Sequence, residues 1–285
     1  MKTAAPLFGV IGGSGVYRLP ALSNLEIHNL DTPYGKPSSP VWTGEINGRK
    51  VAFLARHGVG HFLSPSEVNY RANIYALKSL GVKRIVSISA CGSLREDYKP
   101  GEIVIPDQLV DFTRGRKNSF FGEGLVAHIS PADPYCARLS NLTREAVEQA
   151  GATVHAGGTL ITIEGPRFST RGESNLFRGW GMSIIGMTAC PEAFLAREAQ
   201  MCYTTMAHVT DYDVWHMSES AVTVEMVMRT LNHNTTMAQQ AVINLAAALP
   251  DDEDCGCHHA LKDAVITQAE AISPESKERL NWLLQ

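Results

Sequence analysis

The chain has 285 residues, 44% apolar and 19% charged, so it can bury a sizeable core and is not a small disulfide-stapled scaffold. Its formal charge of −4, without a long lysine or arginine run, argues against a nucleic-acid groove or a polybasic membrane anchor. No apolar run reaches membrane-spanning length, the N-terminal segment lacks a signal-peptide cleavage site, and the six cysteines are scattered, so we expect a cytoplasmic protein with buried thiols.

Short apolar runs alternate with segments of helical periodicity along the chain. The predicted strands are residues 7–11, 41–46, 51–54, 84–90, 102–106, 159–163 and 201–209. The predicted helices are residues 68–80, 134–150, 171–180, 191–199 and 219–249. Between the second and third strands, Asn47-Gly48 predicts a hairpin turn. This alternation, without a linker or an internal repeat, predicts one domain over residues 1–285 with an α/β fold and a central mixed β-sheet flanked by helices.

Two carboxylates, Asp211 and Asp213, follow the last apolar run. In an extended segment, residues i and i+2 face the same side, so both acids would point into one space. Like charges this close push one pKa up, which leaves one proton donor and one acceptor. An adenine ring presents the complement, an N7 acceptor and a 6-amino donor. The pair is a candidate purine site with a built-in acid, and helix capping or bonding of turn amides is the alternative.

Further clusters lie at strand ends, where an α/β fold keeps its ligands. Gly12-Gly13-Ser14-Gly15 allows backbone amides to approach an anion, although the Rossmann spacing fails and an ordinary glycine turn is the alternative. Arg56-His57 before a glycine suits a phosphate, which an arginine grips bidentately, and the alternative is a surface Arg beside a buried His.

Two more positions suit an anion. The strand around Ser89 ends in small and hydroxyl residues, and Thr188 precedes a predicted helix, where it would either meet an anion or simply cap the helix. Cys91 lies beside Ser89, but its sequence neighbours offer no base that would activate it as a nucleophile.

Six short motifs follow one another in the chain: residues 11–15 (IGGSG), 55–58 (ARHG), 69–74 (NYRANI), 90–95 (ACGSLR), 164–169 (EGPRFS) and 210–213 (TDYD). Together they resemble the 5'-methylthioadenosine phosphorylase branch of the trimeric purine nucleoside phosphorylases. The resemblance runs from about residue 8 to about residue 232.

The resemblance implies cleavage of an N-glycosidic bond by inorganic phosphate in a homotrimer that needs no metal or organic cofactor. The phosphate-binding residues that it implies are Ser14, Arg56, His57, Ser89, the Ala90 amide and Thr188. The substrate-binding residues would be Met187 at the ribose and Phe168, Asp211 and Asp213 at the purine, with Asp211 as the catalytic acid. Ser169, Val224 and His128 would set substrate preference, with part of the 5' wall lent by a neighbouring subunit.

The chain departs from the family at two positions near these motifs. Gly186 stands where relatives often have Asn and cannot supply a side-chain bond, and His208 stands where an apolar residue is expected. Preference for methylthioinosine or ordinary purine nucleosides is therefore one alternative. A non-catalytic nucleoside-binding protein is another, which the phosphate-binding residues behind the sugar argue against.

The C-terminal segment contains Cys255-Gly256-Cys257-His258-His259. These potential ligands suggest a metal, but contiguous residues seldom wrap a tetrahedron, and the usual zinc pattern has spaced ligands. A strained, easily reduced disulfide between Cys255 and Cys257 is the hypothesis we favour for this motif.

Overall fold

Eleven strands form one mixed sheet in the computed structural model, which describes residues 5–13, 19, 21–216, 223–251 and 254–284, and only the backbone of 226–234. The strands are β1 (Gly9–Gly12), β2 (Ser23–His28), β3 (Val41–Ile46), β4 (Arg49–Ala55), β5 (Arg84–Ser93), β6 (Ile103–Ile105), β7 (Gln108–Phe112), β8 (Val154–Ala156), β9 (Thr159–Ile163), β10 (Ile184–Gly186) and β11 (Cys202–Asp211). The helices are α1 (Tyr70–Ser79), α2 (Ala137–Gln149), α3 (Arg171–Gly179), α4 (Ala189–Glu198), α5 (Val224–Ala248) and α6 (Pro274–Leu280), with short 3-10 helices at Gly256–His259 and Ala269–Ala271.

The long strand β5 organises the sheet. The main order is β2-β3-β4-β1-β5-β10-β9-β7, and β11 pairs with both β5 and β6. Strands β1 and β11 run parallel to β5, whereas β10 runs antiparallel to its last residues. The ends of β1, β4, β10 and β11 therefore meet around the C-terminal part of β5. Parallel strands bring the residues that follow them to one edge of a sheet, which is where α/β folds bind ligands.

The structure confirms the α/β class and all seven predicted strands, with ends that differ by a few residues. The Asn47-Gly48 turn is confirmed by positive φ angles of 51° and 78°, as a type I′ hairpin requires. Four of the eleven strands, β2, β7, β8 and β10, are not among the seven predicted. Strands β8 and β10 have three residues each, and β2 is an exposed edge strand whose apolar alternation is limited to Leu25 and Ile27. Helix α6 was also missed, and residues 219–222 of the last predicted helix lie outside the described residues.

Two apolar clusters hold the helices on the sheet. In one, α2 and α5 pack on the face of the sheet that carries Val10, Phe53 and Val86; in the other, α1 and α4 contribute Ile74 and Leu195 to the opposite side. Side-chain caps define where helices begin: Asn69 accepts a bond from the Ala72 amide at the start of α1. Among the described residues, no helix has the length and apolar character needed to cross a membrane.

Candidate active site

A pocket of about 570 Å³ opens where the strand ends meet. This volume is typical of sites for small organic ligands. Its lining includes Gly13, Arg56, His57, Ser89, Ala90, Phe168, Ser169, Met187, Thr188, Asp211, Asp213 and Val224. Residues from seven separate stretches of the chain thus meet in one cavity.

Arg56 lies at one end of the pocket, and its guanidinium is held by a buried acid. Its Nε donates to Glu192 Oε2 at 2.7 Å and its Nη2 to Glu192 Oε1 at 2.8 Å; the two side chains are 2% and 0% exposed. Burial alone would lower the pKa of Arg56, but the Glu192 carboxylate more than offsets this and raises it. The arginine is therefore permanently charged and fixed in orientation.

The expectation of a bidentate grip on phosphate is wrong, because the forked face of Arg56 is already bonded to Glu192. Its Nη2 also donates to Ser87 Oγ at 2.7 Å, and Nη1 donates to the Ile88 carbonyl at 3.2 Å. A guanidinium has five N–H groups, so one on Nη1 is left for a ligand. Arg56 can contribute a single directed hydrogen bond rather than a fork.

His57 is neutral and its tautomer follows from its partner. Its Nδ1 lies 2.9 Å from the Leu63 carbonyl oxygen, which can only accept, so Nδ1 carries the hydrogen. Burial, followed by the nearby Arg56 charge, lowers the pKa of His57 to about 4. Its Nε2 is then an acceptor, suited to the hydroxyl of a hydrogen phosphate.

Thr188, Ser89 and Ala90 complete this end of the pocket. Thr188 occupies the N-cap position of α4, yet its side chain makes no cap hydrogen bond with the helix. Its hydroxyl is buried in the pocket lining, at a helix end that favours negative charge. The plain-cap alternative therefore does not describe this threonine. Together these groups form a set of donors at one end of the cavity.

The two aspartates meet at the other end of the pocket, though not by strand alternation as predicted. Strand β11 ends at Asp211, and Asp213 lies beyond it in a turn with φ of 50°. The Asp213 amide donates to Asp211 Oδ1 at 2.8 Å, so the turn-amide alternative is also correct. A Cβ on Gly92 would lie 3.0 Å from Asp211 Oδ1, so a residue without a side chain lets the acids sit against β5.

Asp211 is the group here that can exchange a proton near neutral pH. Burial is the main cause that raises its pKa to about 6, and the charge of Asp213 adds to it. The pKa of Asp213 is also raised, chiefly by burial. Its Oδ2 and the Ser169 hydroxyl are buried and form no well-directed hydrogen bond among the described residues, although the nearby Ser174 and Ser169 hydroxyls act to lower the pKa of Asp213. Buried polar atoms of this kind call for a ligand.

His208 reaches the same pocket from β11. It is 1% exposed, and neither ring nitrogen has a hydrogen-bond partner in the part of the chain that the structure describes. Burial lowers its pKa to about 4. Among the described residues, His208 therefore has no partner that would make it the satisfied core histidine considered from the sequence.

Replacing His208 with Met should make the protein less sensitive to acid. The unfolded histidine takes up a proton below about pH 6.5 and the folded one only near pH 4, so native stability is lost as pH falls through this window. The unfolding free energy of the variant minus that of wild type should therefore be roughly 2–3 kcal/mol larger at pH 4.5 than at pH 8. Urea unfolding at both pH values measures this. The control Met206→Leu, a buried change on the same strand, should change the unfolding free energy by the same amount at both pH values. If His208→Met also changed it equally at both, a lowered pKa of His208 would be contradicted.

Two predicted site residues, Ser14 and His128, are not placed in this pocket by the structure. Ser14 lies outside the described residues. His128 is absent from the pocket lining, and its amide donates to the Ala264 carbonyl at 2.9 Å near the C-terminal segment. Val224 does line the pocket, but 67% of it is exposed.

The sequence interpretation missed two charged residues that hold the site together. Glu192 pairs with Arg56. In the sequence Glu192 falls in the first turn of α4, whose N-terminus was expected to face an anion. An acid at that position argues against an anion and gave no indication of a pair with Arg56. Arg116 donates to the Met187 and Cys190 carbonyls at 2.8 and 2.7 Å and so fixes the loop that carries Thr188. Cys91 is buried, which raises the pKa of its thiol, and it is unsuited to act as a nucleophile.

Comparisons with known proteins agree with this geometry. Residues 7–247 match the family model described as the phosphorylase superfamily. An S-methyl-5'-thioadenosine phosphorylase of Chloroflexus aurantiacus is 53% identical over 273 residues, covering 95% of each chain.

Two solved structures share the fold over nearly the whole chain. A methylthioadenosine phosphorylase from an antarctic soil metagenomic library superimposes with a TM-score of 0.94 and 48% identity, covering 99% of this chain and 100% of that one. A methylthioadenosine phosphorylase from Schistosoma mansoni in complex with adenine gives 0.85 and 35%, covering 92% and 97%. The chain therefore belongs to the phosphorylase superfamily and, within it, to the family of S-methyl-5'-thioadenosine phosphorylases.

Proposed function

We propose that this chain cleaves 5'-methylthioadenosine with inorganic phosphate, giving adenine and 5-methylthioribose 1-phosphate. One observation carries the proposal: a single pocket contains the buried donors Arg56 and Thr188 and an easily protonated Asp211. Arg56 bonds to Ile88 of β5, whereas Asp211 pairs with Gly92 farther along this strand, beside an Asp213 oxygen that has no hydrogen-bond partner among the described residues. The relatives named as methylthioadenosine phosphorylases, one of them solved with adenine, support the choice of substrate.

At the purine end, protonated Asp211 donates to N7 while Asp213 Oδ2 accepts from the 6-amino group. The bond between C1' and the purine nitrogen then breaks, and its electron pair goes to the purine, whose negative charge the proton on N7 removes. A carboxylic acid with a pKa of about 6 suits this task, and general acid catalysis contributes about 10²–10⁴-fold. Phe168 packs at the base, and Ser169 offers a hydroxyl nearby.

At the other end, phosphate oxygens accept hydrogen bonds from Arg56 Nη1, the Ser89 and Thr188 hydroxyls and the Ala90 amide. The phosphate hydroxyl donates a hydrogen bond to His57 Nε2. Ser14 would add another donor from the glycine turn. Phosphate held in this way faces the sugar opposite the purine and forms the new bond to C1', while Met187 packs against the ribose. Orientation of the two reactants replaces a protein nucleophile, and the chemistry needs no metal or organic cofactor.

We also propose that residues 1–285 form one phosphorylase domain that works as a homotrimer in the cytoplasm. Phe62 and Val224 line the pocket, yet each is 67% exposed, so the described residues of one chain leave this side of the pocket open. A neighbouring subunit would cover them and bring His128 to the site. The six free thiols suit a reducing compartment. Solution mass checks the assembly and cell fractionation the location; a fully active monomer would contradict the trimer.

The experiment that tests the reaction measures purine release from methylthioadenosine, methylthioinosine, adenosine and inosine, each with and without phosphate. We expect release only with phosphate and fastest from methylthioadenosine. A 6-oxo group opposite Asp213 loses about 1–3 kcal/mol, which corresponds to roughly 5- to 150-fold in kcat/KM. Preference for the 6-oxo compounds would show that His208 has changed base recognition, and binding without turnover would support a sensing role.

A further inference from the structure

A cluster of four cysteines lies away from the pocket. The sulfur atoms of Cys136, Cys202, Cys255 and Cys257 all lie within 4.8 Å of one another, and each thiol is free. Cys202 begins β11, whereas Asp211 ends it, so the cluster is about 30 Å from the catalytic acid along this strand. We propose that these four cysteines form a structural zinc site with an all-cysteine ligand set.

The spacing of the sulfur atoms fits a tetrahedral ion. Four thiolates at the usual zinc–sulfur distance of about 2.3 Å lie about 3.8 Å apart. Cys136 Sγ and Cys255 Sγ are 3.8 Å apart. A disulfide would need about 2.0 Å. Beside the sulfurs, a cavity of about 20 Å³ is lined by Cys136, Cys202 and Cys255.

The four proposed ligands come from three separate parts of the chain. They are therefore not the contiguous residues 255–259, which could seldom surround a tetrahedral ion. Cys136 is the N-cap of α2, and its amide donates to the Tyr203 carbonyl at 2.8 Å, so α2 is tied to β11 next to Cys202. Cys255 and Cys257 flank one glycine at the start of a 3-10 helix. His259 bonds to Asp254 instead of joining the cluster. The four ligands thus follow the spaced pattern of structural zinc sites.

Positive charge surrounds the cluster, as bound thiolates require. Arg197 Nη1 donates to Cys257 Sγ at 3.4 Å, and Arg84 and Arg138 line the adjoining cavity. His258 Nε2 lies 3.6 Å from Cys202 Sγ. Zinc with four thiolates carries two negative charges, which the three arginines offset. Outer contacts of this kind orient the ligands of a metal site.

Zinc bound here would join the C-terminal segment to the sheet and to α2. The Asp254 carboxylate already orders this segment, because its Oδ1 accepts from the Cys255 amide at 3.0 Å and from His259 Nε2 at 2.8 Å. Leu261, Leu280 and Leu283 then pack into the core beyond it. The ion would act on stability and on anchoring of the C-terminal segment, and the proposed reaction does not require it.

The test uses the full chain, purified under nitrogen without chelator from cells grown with zinc. We expect about one zinc per chain by elemental analysis, and charge-transfer absorption typical of thiolate ligands when cobalt replaces zinc. Cys257→Ser should lower the zinc content several-fold. Cys190→Ser, which changes a buried thiol outside the cluster, should leave it unchanged.

A second measurement on the wild-type chain does not depend on the variants folding. The four cluster thiols should resist alkylation until a strong chelator is added, and the chelator should lower the melting temperature and expose the C-terminal segment to protease. Zinc below about a tenth of an equivalent, both as purified and after zinc is added to the reduced protein, would overturn the proposal. Disulfides among these cysteines in freshly prepared protein would overturn it as well.

Discussion

Asp211→Asn should lower kcat by about 10²–10⁴-fold while leaving the KM for phosphate little changed. The amide keeps the shape of the carboxyl group: it can accept from the Asp213 amide and donate to Thr210 Oγ1, which lies 2.7 Å from Asp211 Oδ2. What it cannot do is transfer a proton to N7. Steady-state kinetics with methylthioadenosine and phosphate varied in turn separates the two effects. An equal loss of phosphate binding would count against Asp211 as the acid.

The pH dependence of the same variant is a second part of this prediction. The acid must be protonated, so wild-type kcat/KM should fall as pH rises above about 6, and the asparagine variant should lack that decline. Asp213→Asn is the matched control: it should retain the decline and change the preference between 6-amino and 6-oxo purines instead. A decline that persists in Asp211→Asn belongs to another group.

The Asp211→Asn substitution should raise the stability of the protein although it lowers the activity. A carboxyl whose pKa is about 6 when folded and about 3.8 when unfolded stabilises the fold only while it holds its proton, so stability is lost as pH rises from about 4 through 6. Asp211→Asn should therefore be more stable than wild type by roughly 2–3 kcal/mol at pH 8 and little different near pH 3.5. Thermal or urea unfolding at the two pH values measures this gain.

Glu192→Gln should destabilise the protein by about 3–5 kcal/mol, because it leaves the buried Arg56 charge without its partner. Arg56→Met should cost a similar amount for the converse reason. The double variant Arg56→Met/Glu192→Gln should regain much of the loss, since both charges are then gone. Urea unfolding of the four proteins forms a double-mutant cycle.

Kinetics on these proteins separates stability from phosphate binding. Loss of the Arg56 hydrogen bond to phosphate should lower kcat/KM for phosphate about 10- to 100-fold, and the double variant should keep this loss although its stability recovers.

Asp97→Asn, which breaks an exposed pair with Arg95, is the control for the stability measurements and should lower the unfolding free energy by less than about 1 kcal/mol. Glu192→Gln with wild-type stability would contradict the structural role of this ion pair.

The sequence motifs identified much of the pocket because strand ends can be located from local patterns. Arg56 and Asp211 follow or end apolar strands that run parallel within the sheet, and such strands bring these positions together. Thr188 reaches the same place because β10 pairs antiparallel with the last residues of β5. The sequence pattern could not show which hydrogen-bond donors are already bonded to other protein groups. Glu192 lies 136 residues after Arg56, and only the packing of α4 against the sheet places its carboxylate on the guanidinium.

The cysteines also differ between what the local sequence suggested and what the folded structure shows. From the sequence, Cys255 and Cys257 were a two-residue motif for which a local disulfide was the favoured hypothesis. In the structure both thiols are free, and they lie with Cys136 and Cys202, which are 119 and 53 residues from Cys255 along the chain. A spaced ligand set is visible only after the chain has folded.

The sequence by itself determined the α/β class, the order of the main strands and helices, and the family, because these depend on local periodicity and on short motifs. The tertiary structure decided the environment of each group: the pairing of Arg56 with Glu192, the burial that is the main cause of the raised pKa of Asp211, the lack of a described partner for either ring nitrogen of His208, and the four-cysteine cluster. Burial and charge–charge contact act through space between residues that are distant in the chain, so the sequence carries no local signal for them.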